Sequence, residues 1–523
     1  MTHRLVSERM AKLEILRGKG IEPYPTRFAV SHRTSEIISE FDALASAETP
    51  VSIAGRLVSK RTHGKASFGH VSDRDGKLQI YFREDCLGPQ GYELFSLLDV
   101  GDIVGVSGPV FKTRTGEMTI KAQGLVLLSK SLRPLPEKWH GLRDVETRFR
   151  QRYVDLLVNA EVRDVFRARS RIVSTIRRLL DARGFMEVET PVLQPLYGGA
   201  FARPFVTHHG ALDMDLYLRI ADELYLKRLI VGGLEKVYEI GKDFRNEGID
   251  RTHNPEFTQL ELYQAYADYS DMMELIEEMV CAVVMELKGE LKCKYGEHDI
   301  SFARPWKRVS YFGALEEHVG ADLRGAGCEE LLSLCRKLGV ETDTASGGQI
   351  ARAGEAGRTG EVRRPGQATP SRIDLIETLF SERVQPNLIQ PTLVHDYPKE
   401  ISPLAKEKAG SPGLAERFEP VVAGLELGNA FSEQNDPLEQ ARQFDVQAEL
   451  RKRGNLEAQP TDRDFLRALE YGMPPTGGLG LGIDRLAMIL TDSRSIREVI
   501  LFPHLRPEAL HDEVEEGEGH DEV

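Results

Sequence analysis

The chain has 523 residues, several times the size of one compact domain, so a single small binding module is excluded. Hydrophobic residues make up 41% and charged residues 29%, and no apolar run reaches membrane-spanning length, so a membrane protein is excluded. The net charge of −14 argues against a nonspecific polyanion coat, but it does not exclude an RNA partner, because much of the acid lies in the C-terminal tail.

Residues 1–50 are predicted to form an N-terminal helical extension. The first twenty residues mix charged and apolar side chains without the uninterrupted apolar stretch of an export signal, and we interpret them as an amphipathic helix. The five cysteines are scattered, without a CxxC pair or a spacing typical of zinc ligands. We therefore expect a cytoplasmic protein without structural zinc.

Residues 51–135 contain short alternating strands separated by turn signals, which predicts a small five-stranded barrel. The strands are expected at 51–58, 67–71, 78–82, 102–110 and 118–122. Basic residues surround Phe68 and Tyr81 in this segment, a mixture that suits base stacking and phosphate binding. A solvated barrel face is the alternative interpretation.

A proline-containing connector at 132–140 leads into a linker, expected at 136–160, and then into a larger domain expected at 161–507. Its first element is a run with helical spacing from Val162 to Leu180, which Gly184 stops. Residues 346–370 are rich in Gly, Arg and Ala and are predicted to be a flexible surface excursion. Residues 508–523 are predicted to be an acidic, disordered tail.

The most informative stretch, at 236–266, predicts two strands joined by a polar loop. Residues two apart on the second strand share a face. One face carries an aromatic ring, an amide, a carboxylate and a phenol, which suit the floor of a ligand site: Phe257, Gln259, Glu261 and Tyr263. The opposite face is apolar enough for a core.

Arg245 and Glu247 lie at the end of the first of these strands. The planar fork of an arginine side chain suits a phosphate or a carboxylate. A structural ion pair between the two residues is the alternative.

A second strand-like run, at 424–433, repeats the spacing of two with Asn429, Phe431 and Glu433. It therefore adds a carboxylate to the same kind of face. Glu419 and Glu426 could meet Mg²⁺, which favours one or two carboxylates together with phosphate oxygens. Ordinary surface carboxylates are the alternative for this pair.

A glycine-rich turn at 477–482 is predicted to precede an apolar helix that begins with Asp484 and Arg485. The glycines would let the backbone approach a ligand, and Arg485 could reach a triphosphate. The run lacks the Lys-Ser/Thr ending of a P-loop, and no dinucleotide-binding unit surrounds it. A helix-initiating turn with a surface arginine is the alternative.

Three stretches in this order resemble the signature motifs of the class II aminoacyl-tRNA synthetases: GFMEVETP at 184–191, FRNEG through HNPEF at 244–257, and GLGIDR at 480–485. The resemblance implies an α+β protein. An N-terminal five-stranded OB-fold barrel would bind the anticodon, and a catalytic domain built on an antiparallel sheet flanked by helices would follow. It also implies a homodimer with the first motif at the interface.

Three further stretches resemble the lysyl-tRNA synthetases in particular: YGGAFARPFVTHH at 197–209, LRIADELYLKRL at 218–229 and GNAFSEQND at 428–436. The resemblance implies a lysine–tRNA ligase, which activates L-lysine with ATP to lysyl-adenylate and transfers it to the 3′ end of tRNA(Lys). The lysine-binding residues that it implies are Gly198, Glu223, Glu261, Tyr263, Asn429, Phe431 and Glu433. A long ammonium side chain needs such carboxylates, because burying an unpaired charge is costly.

The same resemblance implies the remaining roles. Arg245 would bind the α-phosphate and the substrate carboxylate, Phe257 would stack on adenine, and Arg485 would bind the γ-phosphate. The other ATP contacts would come from Glu247, His253 and Asn254, with catalysis assigned to Arg245, Glu247 and Arg485 and Mg²⁺ to Glu419 and Glu426. In the barrel, the positions that match readers of the central anticodon uridine are Phe68, Gln79 and Glu117, with Arg61 nearby.

Three alternatives stay open. An aspartyl or asparaginyl enzyme shares the architecture, although an acidic pocket would repel aspartate. A paralogue that lysylates a protein would be expected to lack the anticodon-reading barrel. A noncatalytic RNA-binding protein would not need Arg245, Glu419, Glu426 and Arg485 together.

Overall fold

The computed structural model describes residues 2–63, 66–136, 142, 144–342, 370–452, 455 and 457–507. It forms two compact units that divide between Asp144 and Val145. The predicted excursion at 346–370 lies outside the described residues except for Pro370, and so does the predicted tail at 508–523. Among the helices that are described, none has the length and apolarity needed to cross a membrane.

The first unit begins with three helices and carries a fourth between two strands: α1 (Thr2–Gly18), α2 (Thr34–Ser39), α3 (Phe41–Ser46) and α4 (Glu84–Leu97). Helix α1 buries Leu13 and Leu16, whereas Met10 and Ile15 on the same helix are exposed. The N-terminal helix therefore packs through a narrow apolar stripe.

The sheet of the first unit has seven strands: β1 (Val51–His63), β2 (Ala66–Ser72), β3 (Lys77–Arg83), β4 (Ile103–Gly108), β5 (Val110–Lys112), β6 (Met118–Lys121) and β7 (Gly124–Ser129). Their order is β5-β6-β3-β2-β1-β4-β7. Strand β1 pairs with β2 and β4, β3 pairs with β2 and β6, and β5 pairs with β6. Because β5 directly follows β4 in the chain, these pairings close a barrel.

The five predicted strands of the barrel are therefore all present, with two differences. The expected strand at 102–110 is divided at Pro109, which has no N–H to donate to a ladder. Strand β7, which the sequence analysis did not predict, pairs antiparallel with β4. The buried side of the barrel is apolar, with Leu57, Val71, Ile80, Phe82 and Val104 at its centre.

The described residues of the second unit form fourteen strands: β8 (Met186–Glu187), β9 (Leu193–Gln194), β10 (Val206–His209), β11 (Met214–Leu218), β12 (Lys236–Phe244), β13 (Glu256–Ala265), β14 (Lys292–Tyr295), β15 (His298–Ser301), β16 (Lys307–Ser310), β17 (Thr392–Pro398), β18 (Leu414–Val422), β19 (Leu425–Glu426), β20 (Gly428–Ser432) and β21 (Thr476–Gly482). Nine of them form the central sheet, in the order β16-β17-β18-β20-β21-β13-β12-β8 with β19 paired to β18. Its middle strands are antiparallel, and the pairs β16–β17 and β12–β8 at its two ends are parallel.

The helices of the second unit are α5 (Val145–Arg150), α6 (Arg152–Val158), α7 (Ala160–Ala182), α8 (Glu223–Val231), α9 (Tyr269–Lys288), α10 (Tyr311–Val319), α11 (Cys328–Leu338), α12 (Arg372–Leu379), α13 (Pro437–Lys452), α14 (Arg463–Glu470), α15 (Ile483–Leu490) and α16 (Ile496–Val499). Helices α5 and α6 lie in the segment expected to be a linker. They are held to the second unit because the buried Arg152 bonds Asp155 at 2.6 Å and the Arg497 carbonyl at 2.8 Å.

The hairpin of β12 and β13 has the two faces that the sequence predicts. Leu260 and Leu262 are fully buried in the main core, where α7, α9 and α15 also contribute. Phe257, Glu261 and Tyr263 point to the opposite face of the sheet and line a cavity. One side of β13 therefore stabilises the fold, and the other side carries the candidate site.

The expectation of a glycine-rich turn at 477–482 is wrong, because these residues form strand β21, between β13 and β20. Glycine has a low strand propensity, so pairing on both sides decides the conformation here. Helix α15 begins directly after the strand, as predicted, with Arg485 in its first turn.

Candidate active site

A cavity of about 390 Å³ lies over the face of the central sheet formed by β13, β20 and β21. The residues on its wall that were proposed from the sequence are Glu223, Arg245, Glu247, His253, Asn254, Phe257, Gln259, Glu261, Tyr263, Glu426, Asn429, Phe431, Glu433 and Arg485. Gly198 and Glu419 are not on the wall; Gly199 lies there beside Gly198. Residues as far apart in the chain as Glu223 and Arg485 are thus brought to one surface.

One end of the cavity is acidic. Glu261 on β13, Glu433 after β20 and Glu223 at the start of α8 are 4%, 2% and 5% exposed. The Tyr263 hydroxyl donates a hydrogen bond of 3.1 Å to Glu261. Burial, together with the charges of Asp243 and Glu223, raises the pKa of Glu261 to about 8.

The glycines of β21 give these side chains room. A Cβ added at Gly478 would collide with the Glu433 carboxylate and with the Tyr263 ring, and one added at Gly480 would lie 2.8 Å from the Gln259 amide. The glycine-rich run therefore makes space for site side chains from the neighbouring strands.

Lys227 on α8 lies within this acidic end, and the sequence analysis did not identify it. Its ammonium is 2.5 Å from Glu223 and forms an ion pair with Glu433, and its side chain is fully buried. Phe431 lies beneath it, with the ammonium 5.4 Å from the ring centroid. The chain's own cation therefore bridges two of the three glutamates.

The other end of the cavity carries two arginines. Arg245 follows β12, and its guanidinium lies 5.0 Å from the centroid of the Phe257 ring. Arg485 donates to the Glu426 carbonyl at 2.8 Å and lies 3.3 Å from His253 Nε2. This end has the cations and the aromatic face that a nucleotide triphosphate requires.

His253 and Asn254 occupy the loop between β12 and β13. Burial opposes ionisation of Asp250, but hydrogen bonds from His253 and Thr252 lower the pKa of Asp250. Asn254 is 5% exposed and donates to the Glu256 carbonyl at 2.6 Å, which fixes its amide. Its buried Oδ1 has no hydrogen-bond partner among the described residues, so an acceptor is available at the cavity wall.

Arg417 is a second wall residue that the sequence analysis missed. It donates to Asn429 Oδ1 at 2.9 Å, to Glu419 at 2.6 Å and to the Ile401 carbonyl at 2.7 Å. Arg417 therefore fixes the orientation of the Asn429 amide, with Oδ1 facing the guanidinium and Nδ2 facing away from it. No local sequence signal marks it, since its partners come from three separate segments.

Glu419 and Glu426 lie on one hairpin, where Glu426 pairs with Val421, two residues after Glu419. Burial and the charge of Glu426 raise the pKa of Glu419 to about 6, although Arg417 opposes the shift. Two carboxylates that repel each other in this way fit a divalent cation that also takes phosphate oxygens. Among the described residues, no group of three or more His, Cys, Asp and Glu side chains could hold a metal by itself.

In the first unit, Phe68, Gln79 and Glu117 come together on the outer face of the barrel. Gln79 Nε2 donates to Glu117 at 2.6 Å, and the Phe68 ring lies 5.0 Å from that of Tyr81. Arg61 pairs with Phe68 across β1 and β2. The four residues predicted to read the anticodon thus share one surface.

Each of the two units matches a known protein family. Residues 144–506 match the family model described as tRNA synthetases class II (D, K and N), which is more than half of the chain. The chain belongs to the class II tRNA synthetases. Residues 51–128 match the model described as an OB-fold nucleic acid binding domain.

Among class II tRNA synthetases, similar curated proteins carry the name lysine–tRNA ligase. The protein of Carboxydothermus hydrogenoformans is 53% identical, with 97% of this chain and 98% of the relative covered. The protein of Pelotomaculum thermopropionicum is 54% identical, with 97% of this chain and 95% of the relative covered. The protein of Roseiflexus castenholzii is 52% identical, with 97% of this chain and 99% of the relative covered. The resemblance found in the motifs therefore extends over nearly the whole chain.

Proposed function

We propose that this class II synthetase is a lysine–tRNA ligase that activates L-lysine with ATP and transfers it to the 3′ end of tRNA(Lys). The observation that carries the proposal is one cavity whose wall carries three buried glutamates together with three arginines, Arg245, Arg417 and Arg485. Such a cavity suits a cationic amino acid whose carboxylate lies next to a triphosphate.

The charge of the acidic end supports lysine as the amino acid. Glu223, Glu261 and Glu433 are three carboxylates, and Lys227 is the one ammonium group that pairs with them, so carboxylates are in excess at this end. Free lysine has two ammonium groups, on its α-carbon and at the end of its side chain, which suit the carboxylates in excess. Aspartate would add a negative charge and would be rejected.

The assignment of groups rests on the resemblance to the lysyl-tRNA synthetases, and it is supported by the cavity, because the side chains named here all lie on its wall. Glu261, Tyr263 and Glu433 surround the side-chain ammonium, with Asn429 and Phe431 beside it. Glu223 and the backbone at Gly198 hold the α-amino group. Arg245 binds the α-phosphate and the lysine carboxylate, and Phe257 stacks on adenine. The remaining contacts to ATP come from Glu247, His253, Asn254 and Arg485.

In the first step, a carboxylate oxygen of lysine attacks the α-phosphorus of ATP. The bond from that phosphorus to the bridging oxygen breaks, and pyrophosphate leaves. The nucleophile is already ionised at neutral pH, so no general base is needed, and Arg245 and Arg485 act by positioning the reactants and stabilising negative charge. In the second step, the 3′-hydroxyl of the terminal adenosine attacks the acyl carbon, the bond from that carbon to the phosphate oxygen breaks, AMP leaves, and the hydroxyl proton is released.

Glu419 and Glu426 would hold Mg²⁺ that enters with ATP. When bound, the ion supplies charge neutralisation on the phosphate oxygens. The mutual repulsion of the two carboxylates supports this assignment, because a divalent cation relieves it.

The outer barrel face is proposed to bind the anticodon loop of tRNA(Lys), with Phe68 as a stacking surface and Gln79 and Glu117 as hydrogen-bonding groups for the central uridine. Arg61 would contact the backbone nearby. Single-stranded bases are read by stacking and by hydrogen bonds to their edges, which suits these side chains.

The synthetase is further proposed to work as a homodimer in the cytoplasm. Strand β8 ends the central sheet, and large apolar side chains are exposed on it and on the small β9–β11 sheet: Met186 (53%), Leu193 (49%) and Val206 (58%). A second copy would cover them. All five cysteines are unpaired, which agrees with a reducing compartment.

The test is the charging of a tRNA(Lys) transcript with labelled lysine in the presence of ATP and Mg²⁺. We expect acid-precipitable lysyl-tRNA with the wild-type protein and none when aspartate or asparagine replaces lysine. Charging with aspartate or asparagine would keep the family and overturn the substrate. Absence of charging with all three would overturn the proposed function.

A further inference from the structure

A chain of hydrogen bonds crosses the outer face of the barrel and includes a residue to which no role has been given, His70. Ser59 Oγ lies 2.8 Å from His70 Nδ1, and His70 Nε2 lies 3.1 Å from Glu117 Oε1. Glu117 Oε2 accepts from Gln79 Nε2 at 2.6 Å, and Gln79 Oε1 accepts from the Thr119 hydroxyl at 2.8 Å. These hydrogen bonds therefore connect β1, β2, β3 and the start of β6.

The donors and acceptors in this network are set from the carboxylate of Glu117 outward. Because an ionised carboxylate can only accept, the amide nitrogen of Gln79 faces Glu117, and its Oε1 faces the Thr119 hydroxyl. An ionised carboxylate can only accept, so Nε2 of His70 carries a hydrogen. In the neutral ring Nδ1 is then an acceptor, and Ser59 supplies the hydrogen that holds this tautomer.

Glu117 needs such support because it lies just before β6, after a turn closed by the hydrogen bond from Gly116 N to the Thr113 carbonyl. Its side chain is 47% exposed, whereas that of His70 is 26% exposed. A half-exposed glutamate on a loop samples several rotamers unless other groups hold it. Two N–H donors, one on each carboxylate oxygen, hold Glu117 in one orientation.

The His70 N–H is taken by Glu117, so the resulting edge presents the second N–H of the Gln79 amide and the remaining lone pairs of the Glu117 carboxylate. Uracil presents the complementary pair on its pairing edge, a carbonyl oxygen beside an N–H. Cytosine has an unprotonated ring nitrogen where uracil has the N–H, so it would face the carboxylate with a second acceptor. Phe68 lies two residues before His70 on β2, on the same face, and offers a ring for the base to stack on.

We propose that His70 is a positioning residue for base recognition, which holds Glu117 as the acceptor that distinguishes uracil from cytosine in the anticodon. This inference rests on the proposed binding of tRNA(Lys) by the barrel. His70 acts through Glu117, and Ser59 acts through His70, so the effects of their removal should decrease in the order Glu117, His70, Ser59.

The experiment measures kcat/KM for charging of two tRNA(Lys) transcripts, one with uridine and one with cytidine at the centre of the anticodon. We expect His70→Ala to lower kcat/KM for the uridine transcript about tenfold, as loss of a hydrogen bond to a charged group does, and to leave the cytidine transcript nearly unchanged. Ser59→Ala should act in the same direction but less, and His70→Gln, which keeps an N–H donor, should restore part of the discrimination.

Two controls separate this role from a structural one. Lysine-dependent ATP–pyrophosphate exchange without tRNA should be unchanged in His70→Ala. The matched control His32→Ala removes another histidine of the first unit whose ring lies 2.8 Å from a serine hydroxyl, that of Ser31, and should leave the ratio between the transcripts unchanged.

The outcomes also separate this inference from the proposed function. If Glu117→Ala loses the preference for uridine and His70→Ala keeps it, the role of His70 is overturned and the anticodon assignment stands. If both variants keep the preference, base reading by this face is overturned, and the role of His70 with it.

Discussion

At the scale of single residues, the charge balance of the cavity depends on Lys227. The sequence LYLKRL gives no sign that this lysine is buried, because a lysine on a helix is usually solvated. The fold buries it fully between Glu223 and Glu433, and only the packing of α8 against β12 and β13 reveals the arrangement. A buried ion pair that loses one partner leaves an uncompensated charge.

Lys227→Met should therefore destabilise the protein by about 3–5 kcal/mol, because the glutamates lose their cation. Chemical denaturation at pH 8 measures the change in the free energy of unfolding. The matched control is Lys452→Met, which removes an exposed lysine from a pair with Glu449 and should cause no measurable change. Equal stability of the two variants would show that Lys227 is not needed to compensate the glutamates.

The raised pKa of Glu261 predicts a pH dependence of lysine binding. With a pKa of about 8, Glu261 holds a proton in the empty pocket at pH 7, and the substrate ammonium must displace it. KM for lysine should therefore rise as the pH falls below 8, by at most about tenfold per unit. Exchange kinetics between pH 6.5 and 8 test this, and Glu261→Gln should flatten the profile. A KM for lysine that stays constant in the wild type would contradict the assignment.

At the scale of elements, the sequence predicted the hairpin of β12 and β13 with its two faces, because strict alternation of polar and apolar residues reports burial directly. It failed for β21, where glycines mark a turn in isolation but a strand between two neighbours in the sheet. Arg417 was missed for a related reason, since Asn429 and Ile401 are distant from it in the sequence and reach it only in the folded protein.

Strand β21 carries its own prediction. Gly478→Ala should abolish lysine-dependent exchange while the fold persists, because the added methyl group would displace Glu433 and the Tyr263 ring. Circular dichroism and exchange assays on the same preparation measure both properties. Gly210→Ala is the control, since a Cβ there meets nothing within 4 Å. Normal lysine kinetics in Gly478→Ala would show that this space is not part of the pocket.

At the scale of the whole molecule, the two compact units imply that tRNA recognition and amino-acid activation can be disturbed separately. Phe68→Ala should raise KM for tRNA(Lys) about tenfold through loss of a stacking surface, and it should leave exchange without tRNA unchanged. Tyr471→Ala, an exposed aromatic residue on the second unit, is the control. Loss of exchange in Phe68→Ala would contradict this separation.

The central claim is that one cavity selects lysine and brings it to ATP, and amino-acid-dependent ATP–pyrophosphate exchange tests it most directly. The assay would be run without tRNA, with each of the twenty amino acids, for the wild type and for Arg245→Ala. We expect exchange with lysine alone in the wild type and none in the folded variant, because Arg245 binds both the reacting carboxylate and the α-phosphate. Exchange with aspartate or asparagine, or undiminished exchange in Arg245→Ala, would contradict it.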